Sequence, residues 1–503
     1  MDLILSGFIN VLNPITLFYI TLGVAGGIVI GSLPGLTATM GVTLLLPLTF
    51  GMEASNGILL LLGIYIGAIY GGSISAILLR TPGTPAAAAT ALDGYALTKK
   101  GESGKALAIS TIASAIGGVV SCIFLILISP QLASIALKFS SPEYFALALF
   151  GLSIITSISG KSLVKGLIAG FLGILIAMIG VDAITGYPRF TFDNVNLLTG
   201  MSFIPILIGL FALSQAFIAI ENKNVKSEQS GKVKSSFPSK QDFKKFTPRA
   251  IISGIMGTFI GIIPGAGADI AAFICYNEAK RFSKHPEKFG TGLPEAIAAP
   301  EAGNNGVTGG AMIPLLTLGI PGDAVAAVML GALTMQGLQP GPLLFKEQAS
   351  TVYMIFAGLL VANIIMLILG LLGSRVFPKI TNIPQEILTP AIIVLCVVGS
   401  FAINNSMFDV GVMFVSGVIG YFMHKFEIPS SPVILALILG PMAESHLRRA
   451  LVMSNGSFSV LVSTPISVVF IVLAIITLMM PIIKKLKTNK EESNGDNNQE
   501  FTI

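Results

Sequence analysis

Gly27-Ile-Val-Ile-Gly31-Ser-Leu-Pro34-Gly35-Leu-Thr37 returns later in the chain as Gly257-Thr-Phe-Ile-Gly261-Ile-Ile-Pro264-Gly265-Ala-Gly267. Both copies lie in strongly apolar surroundings, and a second Pro-Gly follows each, at Pro82-Gly83 and Pro321-Gly322. Proline removes a backbone donor and ends a helix, while glycine permits the turn that follows. Lipid tolerates a broken backbone only where the break lines a polar cavity or is buried in protein. Gly/Pro interruptions at matching places in two halves of a chain point to the binding site of a secondary transporter.

The rest of the composition fits a membrane protein. The chain has 503 residues, 53% of them hydrophobic and 11% charged, with a mean hydropathy of +0.85. That excludes an ordinary soluble globular protein. Apolar stretches at Leu107–Ser129, Leu163–Ala183, Val352–Leu372 and Leu461–Ile482 approach the roughly 20 residues that a membrane helix needs. The N-terminus lacks the basic region of a cleavable signal peptide, and its apolar run flows into the first span. Cys122, Cys275 and Cys396 lie in apolar segments without metal-ligand spacing. His285, His424 and His446 are scattered over loops, so no metal site is expected. The net charge of +5 implies no nucleic-acid role, because the basic residues follow topology.

Under the positive-inside rule, the cytoplasmic connections are 95–106, 160–165, 221–249, 280–288, 373–386, 424–429 and the tail from Lys484. They hold twenty-four of the 30 Lys and Arg residues. The opposite side holds Lys138, Arg189, Lys346 and the pair Arg448-Arg449, the one blemish in the pattern, and Arg80 alone remains at membrane depth. Basic loops of one half correspond to weakly charged loops of the other, so the halves point in opposite directions. Segment 250–279 then enters and leaves from one face as a re-entrant hairpin turning at Pro264-Gly265, and 13–50 does so from the other face, turning at Pro34-Gly35. The expected fold is an all-α polytopic membrane protein with two inverted-topology repeats, re-entrant Pro-Gly hairpins and one extra C-terminal helix. Its parts are repeat 1 (1–220), a basic cytoplasmic linker (221–249), repeat 2 (250–443), and a final helix with a polar tail (444–503). The tail from Lys490 is polar enough to be disordered.

A half-helix that starts after a Pro-Gly break presents unpaired N–H groups and a positive dipole end, which suits a carboxylate. The first tip brings Pro34, Gly35, Thr37, Ala38 and Thr39 toward one cavity, and the second brings Pro264, Gly265, Ala266, Gly267 and Ala268. The Gly27/Gly31 and Gly257/Gly261 pairs read as close helix packing. Ser73, Ser75, Arg80, Thr81, Pro82, Gly83 and Thr84 place hydroxyls and one guanidinium beside broken backbone. Arg80 contacts substrate, snorkels, or pairs with an acid such as Asp93. The corresponding stretch of the second half reads Ala299-Pro300-Glu301-Ala302-Gly303-Asn304-Asn305-Gly306-Val307-Thr308-Gly309-Gly310, then Gly319-Ile320-Pro321-Gly322-Asp323. Asn304 and Asn305 bind a cation or substrate oxygens, or form a structural amide network. Asp323 and Thr84 stand where side-chain oxygens cap helices. Asp269, Glu301, Asn304 and Asp323 are the ion-coupling candidates, and Asp269, Glu301 and Glu295 read equally well as structural pairing residues.

Taken together, the doubled Gly-x3-Gly-x2-Pro-Gly, Tyr70-Gly71-Gly72-Ser73 through Pro82-Gly83, Asp93-Gly94-Tyr95, the Ala299 to Asn305 run and Leu318-Gly319-Ile320-Pro321-Gly322 resemble the large permease subunit of the tripartite tricarboxylate transporters. The resemblance covers roughly residues 1–485. Gly303 and Gly306 stand where alanines are expected, and Thr37 replaces a glycine. The resemblance implies a bacterial inner-membrane protein that works with a small membrane subunit and an extracytoplasmic solute-binding protein. It also implies uptake of citrate-like or other carboxylates, driven by Na+ or H+, with no cofactor and with the C-terminus in the cytoplasm. There is no Gly-x4-Gly-Lys-Ser/Thr loop for a built-in ATPase. An enzyme is disfavoured by the lack of a nucleophile–base pair or metal cluster. A stand-alone carrier or channel of the same fold is the alternative.

Overall fold

A computed structural model describes residues 2–155, 162–182, 184–221, 236–373, 376–380 and 385–479. Lys161, Arg375, Pro384, much of the linker and the basic tail lie outside those residues. The described chain is helical apart from a two-residue ribbon, β1 (Gly180–Val181) and β2 (Pro188–Arg189), and seven helices are long and apolar enough to cross a membrane. The chain divides into two compact units, one of residues 1–137 and 202–422, the other of 138–201 and 423–503. All motif residues belong to the first unit.

Its helices are α1 (Asp2–Val11), α2 (Pro14–Ser32), α3 (Ala38–Leu45), α4 (Ala54–Leu79), α5 (Thr90–Lys99), α6 (Ser103–Ala136), α7 (Lys240–Ile262), α8 (Gly267–Arg281), α9 (Pro294–Leu318), α10 (Ala324–Met335) and α11 (Ala349–Leu372), with further spans at 203–221, 385–404 and 407–425. The expected linker ends early, because α7 starts at Lys240. A capping box explains this: Ser239 accepts from the Asp242 N–H, and the Asp242 carboxylate accepts from the Ser239 N–H.

The doubled motif is also written into the packing. A Cβ on Gly27 would overlap the Ile64 carbonyl of α4, and one on Gly31 the Ala68 carbonyl. In the second half, Gly257 meets the Gly303 carbonyl of α9, and Gly261 meets that of Val307. From the facing helices, Gly67 and Gly71 press on the Val24 and Ile28 carbonyls, as Gly306 and Gly310 do on those of Gly254 and Thr258. Every pair keeps one register, so α2 stands to α4 as α7 stands to α9. The Gly-x3-Gly pairs are helix-packing seams, as expected: without a Cβ the two backbones approach closely. In this register Asn304 corresponds to Tyr65, and Gly310-Ala311 to Gly71-Gly72.

Contacts between loops follow the charge division. Lys105 pairs with Asp242 at 3.0 Å, Lys100 donates to the Thr291 carbonyl at 2.7 Å, and Arg249 donates to the Phe282 carbonyl. The connections at 95–106, 240–249 and 280–292 therefore lie together, and the two ends of the α7–α8 segment meet. At other ends of these helices, Gln336 donates to the Thr49 carbonyl at 2.9 Å, and Thr16 donates to Asn56 at 2.9 Å.

In the second unit, helices Ser141–Ser153 and Leu163–Ala177 pack against Ser431–Met453. The expected span 163–183 stops at Ala177, because the chain turns into the ribbon and Asp182 accepts from the Ile184 and Thr185 N–H groups. The last apolar helix starts at Pro465 rather than Leu461, since 458–462 form a 3-10 turn, and it is described as far as Met479. Arg448 pairs with Asp182 at 2.6 Å and Glu444 at 3.2 Å, and Arg189 also pairs with both acids, reaching Glu444 through two hydrogen bonds of 3.1 and 2.7 Å. Both arginines are thus neutralised locally, which accounts for Arg448 in the charge blemish. The hydrogen bonds and charge of Arg189, with smaller help from Arg448, hold the Glu444 carboxyl below its ordinary range. A lowered folded-state pKa contributes stability above the unfolded value, about 4.3 for Glu, and that contribution is lost as pH falls through the folded value. The melting-temperature gap between wild type and Glu444→Gln is therefore expected to be largest near neutral pH and to close toward about pH 3.

Candidate functional site

The two breaks are built alike. Leu33 and Ile263 are extended (ψ 118° and 113°), as a residue preceding proline must be. Gly35 and Gly265 follow at φ +89° and +80°, a region open to glycine. The chain then re-enters a helix, at Ala38 behind the N-cap Thr37, whose hydroxyl accepts from the Met40 N–H at 3.1 Å, and at Gly267 behind Ala266, which makes no side-chain cap. In both halves the second Pro-Gly docks on the helix that leads into the first. A Cβ on Gly83 would overlap the Gly31 carbonyl, and one on Gly322 that of Gly261. The Gly265 N–H donates to the Gly322 carbonyl at 2.6 Å, and the Gly83 N–H to the Gly72 carbonyl at 3.1 Å. Pro264, Pro321 and Gly322 are buried, while Pro34 and Pro82 are half-buried.

The halves also reach across to one another. Tyr65, on α4, donates to the Asp323 carboxylate at 2.6 Å, beside the second break. Its counterpart Asn304, on α9, donates to the Ala86 carbonyl at 3.2 Å, just beyond the first. Helix α3 packs on α10, and α8 packs on the 3-10 turn Pro85–Ala87. Each half-helix that follows a tip thus contacts the segment after the break in the other half.

Helix α4 ends on Arg80 in the left-handed region (φ 58°), and α9 ends on Gly319 in the same conformation (φ 71°). The fold therefore favours glycine at a position where this chain holds an exposed arginine. A side chain in that region costs of order 1–3 kcal/mol, and such strain clusters at functional sites. Arg80 and Asp93 are not paired among the described residues. Asp93 accepts from the N–H groups of Gly290, Gly292 and Leu293 and from the Tyr276 hydroxyl, and among the described residues Arg80 makes no ion pair.

The other candidates divide into an open set and a buried set. Thr81 is exposed beside Arg80, with its hydroxyl 3.3 Å from the Leu79 carbonyl, and Asp269 is exposed in the first turn of α8. Thr39, Ser73, Ser75, Glu301, Asn304, Asn305 and Asp323 are buried. Ser75 faces the break, within reach of Gly83, whereas Ser73 turns the other way to Ser110 on α6 at 2.9 Å. Asp323 caps α10, accepting from the Ala326 N–H at 2.7 Å, as expected. Thr84 does not cap: its hydroxyl packs against Gly72 and has no hydrogen-bond partner among the described residues. Asn305 donates to the Asn304 side-chain oxygen at 2.7 Å and to the Glu301 carbonyl at 3.0 Å, and its own buried oxygen has no hydrogen-bond partner among the described residues. The doubled amide thus reaches the segment after Pro82-Gly83 through Asn304, in the unit that holds both tips.

A family model of the tripartite tricarboxylate transporter TctA family matches residues 17–435. The chain belongs to that family. As expected from the motifs, it is of the type of the large subunit of these transporters, a multi-pass membrane protein of transport. A protein of Agrobacterium vitis, described as an uncharacterized 52.8 kDa protein in the TAR-I ttuC' 3'region, is 36% identical over 495 residues, which span 98% of this chain and 99% of that one. A second protein of that organism, an uncharacterized protein in the TAR-II ttuC' 3'region, is 35% identical over 236 residues, 47% of this chain and 98% of its own length. No solved structure matches the chain. The TctA-family motifs map onto the two breaks and their supports: Gly94 of Asp93-Gly94-Tyr95, for example, is where α5 rests on Ile77 of α4.

Residues that the sequence did not single out complete the site. Tyr65 is apolar-looking on an apolar helix, and only the packing register identifies it as the mate of Asn304. Thr90, Ser110 and Ser114 surround Glu301, and their sole sequence signal is a run of hydroxyls on otherwise apolar helices.

Proposed function

We propose that this chain imports small organic anions, tricarboxylates or other carboxylates, by ion-coupled alternating access. It does so as the permease of a tripartite system in the bacterial inner membrane, with its C-terminus in the cytoplasm. The observation that carries this reading is the doubled helix break in a TctA-family chain, at which the half-helix after each tip packs on the segment that follows the other half's second Pro-Gly. In this reading the two halves are inverted repeats, and α2–α3 and α7–α8 are re-entrant hairpins entering from opposite faces. Substrate sits between the tips, held by the N-termini of α3 and α8, the Thr37 and Thr81 hydroxyls, the amides of Asn304 and Asn305, and Arg80. A small membrane subunit and an extracytoplasmic binding protein deliver it, and a cation gradient, Na+ or H+, drives accumulation. All motif residues fall in one compact unit, which supports that unit as the part that moves. The breaks carry no nucleophile–base pair, so the reading involves no chemical conversion.

The test is uptake of a radiolabelled panel of di- and tricarboxylates, citrate included, in cells producing the chain with candidate partner subunits, with and without sodium. Saturable counterflow of at least one member in proteoliposomes is expected. Conductance without saturation indicates a channel and contradicts the carrier.

Arg80 separates function from architecture. Arg80→Gly relieves the left-handed strain and is expected to stabilise the protein by about 1 kcal/mol while raising the KM for the carboxylate about tenfold or more, through loss of a charge-assisted hydrogen bond. Thermal melting and uptake kinetics read both effects. A destabilised Arg80→Gly with unchanged KM makes Arg80 a structural residue.

A further inference from the structure

Glu301 lies in the middle of α9, fully buried, one turn before Asn304-Asn305. Three neutral hydroxyls converge on its carboxylate: Thr90 from α5, and Ser110 and Ser114 from α6 at 3.1 and 3.0 Å. Ser110 is in turn hydrogen-bonded to Ser73 of α4. Among the described residues no Lys, Arg or His pairs with Glu301. The other titratable groups on the elements packed around it are otherwise engaged. Tyr70 of α4 is hydrogen-bonded to Thr111, Asp93 of α5 is held by the 290–293 loop, and Cys275 of α8 and Cys122 of α6 are buried thiols. From Ala250 onward α7 brings only the hydroxyls of Ser253 and Thr258.

An isolated buried carboxylate is costly in its charged form unless it is paired or well hydrogen-bonded, and intramembrane acids are functional by default. Here the architecture does not demand it. The packing register that aligns Gly67 with Gly306 places Leu62, an equally buried leucine, at the Glu301 position of the first half. The same helix pair therefore packs without a carboxylate. Each carboxylate oxygen already accepts a hydroxyl donor, one from Thr90 and the other from Ser110 and Ser114, so the charged form is held in place and one proton can be added without a further ligand.

We infer that Glu301 is the proton site through which the substrate gradient is coupled, with Thr90, Ser110 and Ser114 as the donors that stabilise its ionised form. A proton adds to one carboxylate oxygen and leaves from it, and nothing else is consumed. Because Glu301 bridges α5, α6 and α9 and its backbone carbonyl holds Asn305, its proton state bears directly on the amide pair of the substrate site. This inference rests on the transporter reading above but goes further in naming the ion and its carrier.

The test has a substrate-free arm and a transport arm. In infrared spectra of the purified full chain in lipid nanodiscs, lowering the pH is expected to raise the C=O band of a protonated buried carboxyl, absent in Glu301→Gln and present, displaced, in Glu301→Asp. In proteoliposomes, pH-gradient-driven accumulation of the counterflowing carboxylate falls at least tenfold in Glu301→Gln and no longer responds to the gradient. Superimposable infrared titrations of wild type and Glu301→Gln, or gradient-responsive accumulation in Glu301→Gln, overturn the inference, as does sodium-driven uptake of the wild type indifferent to pH. If no carboxylate counterflows, the transporter reading fails and the infrared arm still decides the proton site. Should Glu301→Gln not fold, Ser110→Ala with Ser114→Ala removes two donors to the charged form, so the band's midpoint moves to higher pH; an unmoved midpoint overturns the assignment.

Discussion

Asp93→Ala is expected to destabilise the protein by on the order of 4 kcal/mol, among the largest losses from a single substitution in this chain. The Asp93 carboxylate accepts from Gly290 N–H at 2.8 Å, Gly292 N–H at 2.7 Å, Leu293 N–H at 3.0 Å and Tyr276 O–H at 3.0 Å. Removing it strands four donors, each worth about 1–3 kcal/mol when buried and unpaired, though the exposed Gly290 recovers water. The contact joins α5 of the first half to the 286–293 loop of the second, and Lys100 reinforces it at the Thr291 carbonyl. Beneath it lies an apolar cluster of Ala89, Ala272, Tyr276, Phe289, Ala296 and Ala299. Asp93→Asn keeps one acceptor oxygen and loses the charge, so about half the effect is expected. Thermal melting and hydrogen exchange over residues 286–293 measure it. Equal stability of wild type and Asp93→Ala contradicts the assigned role.

Asn304→Ala combined with Asn305→Ala is expected to lower uptake about 100-fold with protein yield maintained. Two hydrogen bonds to a charged substrate at about 1.5 kcal/mol each give that factor. Among the described residues the two side chains bond to the Ala86 carbonyl across the halves, to the Glu301 carbonyl and to each other, and the Asn305 oxygen has no partner. A structural amide network would be expected to satisfy that oxygen, because buried acceptors are rarely left unpaired. Uptake at the wild-type rate in the double variant removes both amides from the binding site. A large loss of thermal stability with unchanged KM assigns them to the fold instead.

Both breaks were legible in the chain because proline and glycine act locally. A missing N–H at Pro34 and Pro264, and the positive φ of Gly35 and Gly265, leave little choice of backbone path. The Gly-x3-Gly seams were legible for the same reason, and the loop charges sorted the connections that Lys100, Lys105 and Arg249 bring together. What stayed hidden depends on partners far apart in sequence. Thr90, Ser110 and Ser114 read as small residues of apolar helices until α9 brings Glu301 among them. The Tyr65 and Asn304 correspondence escaped because the two halves fill one position with different chemistry, and only the backbone register reveals it. Asp93 binds backbone N–H groups, which every residue carries, so its partners left no compositional trace. Thr84 and Asp323 looked interchangeable as caps, yet only Asp323 precedes a full helix whose N–H groups it can reach.

In the proposed carrier both broken tips face one substrate pocket. Leu36→Cys and Ala266→Cys, introduced singly in a chain whose buried Cys122, Cys275 and Cys396 have been replaced, allow it to be tested by the rate of maleimide labelling with and without the transported carboxylate. The carboxylate is expected to slow labelling at both positions, with the same concentration dependence. Protection of one tip alone, or of neither, contradicts it.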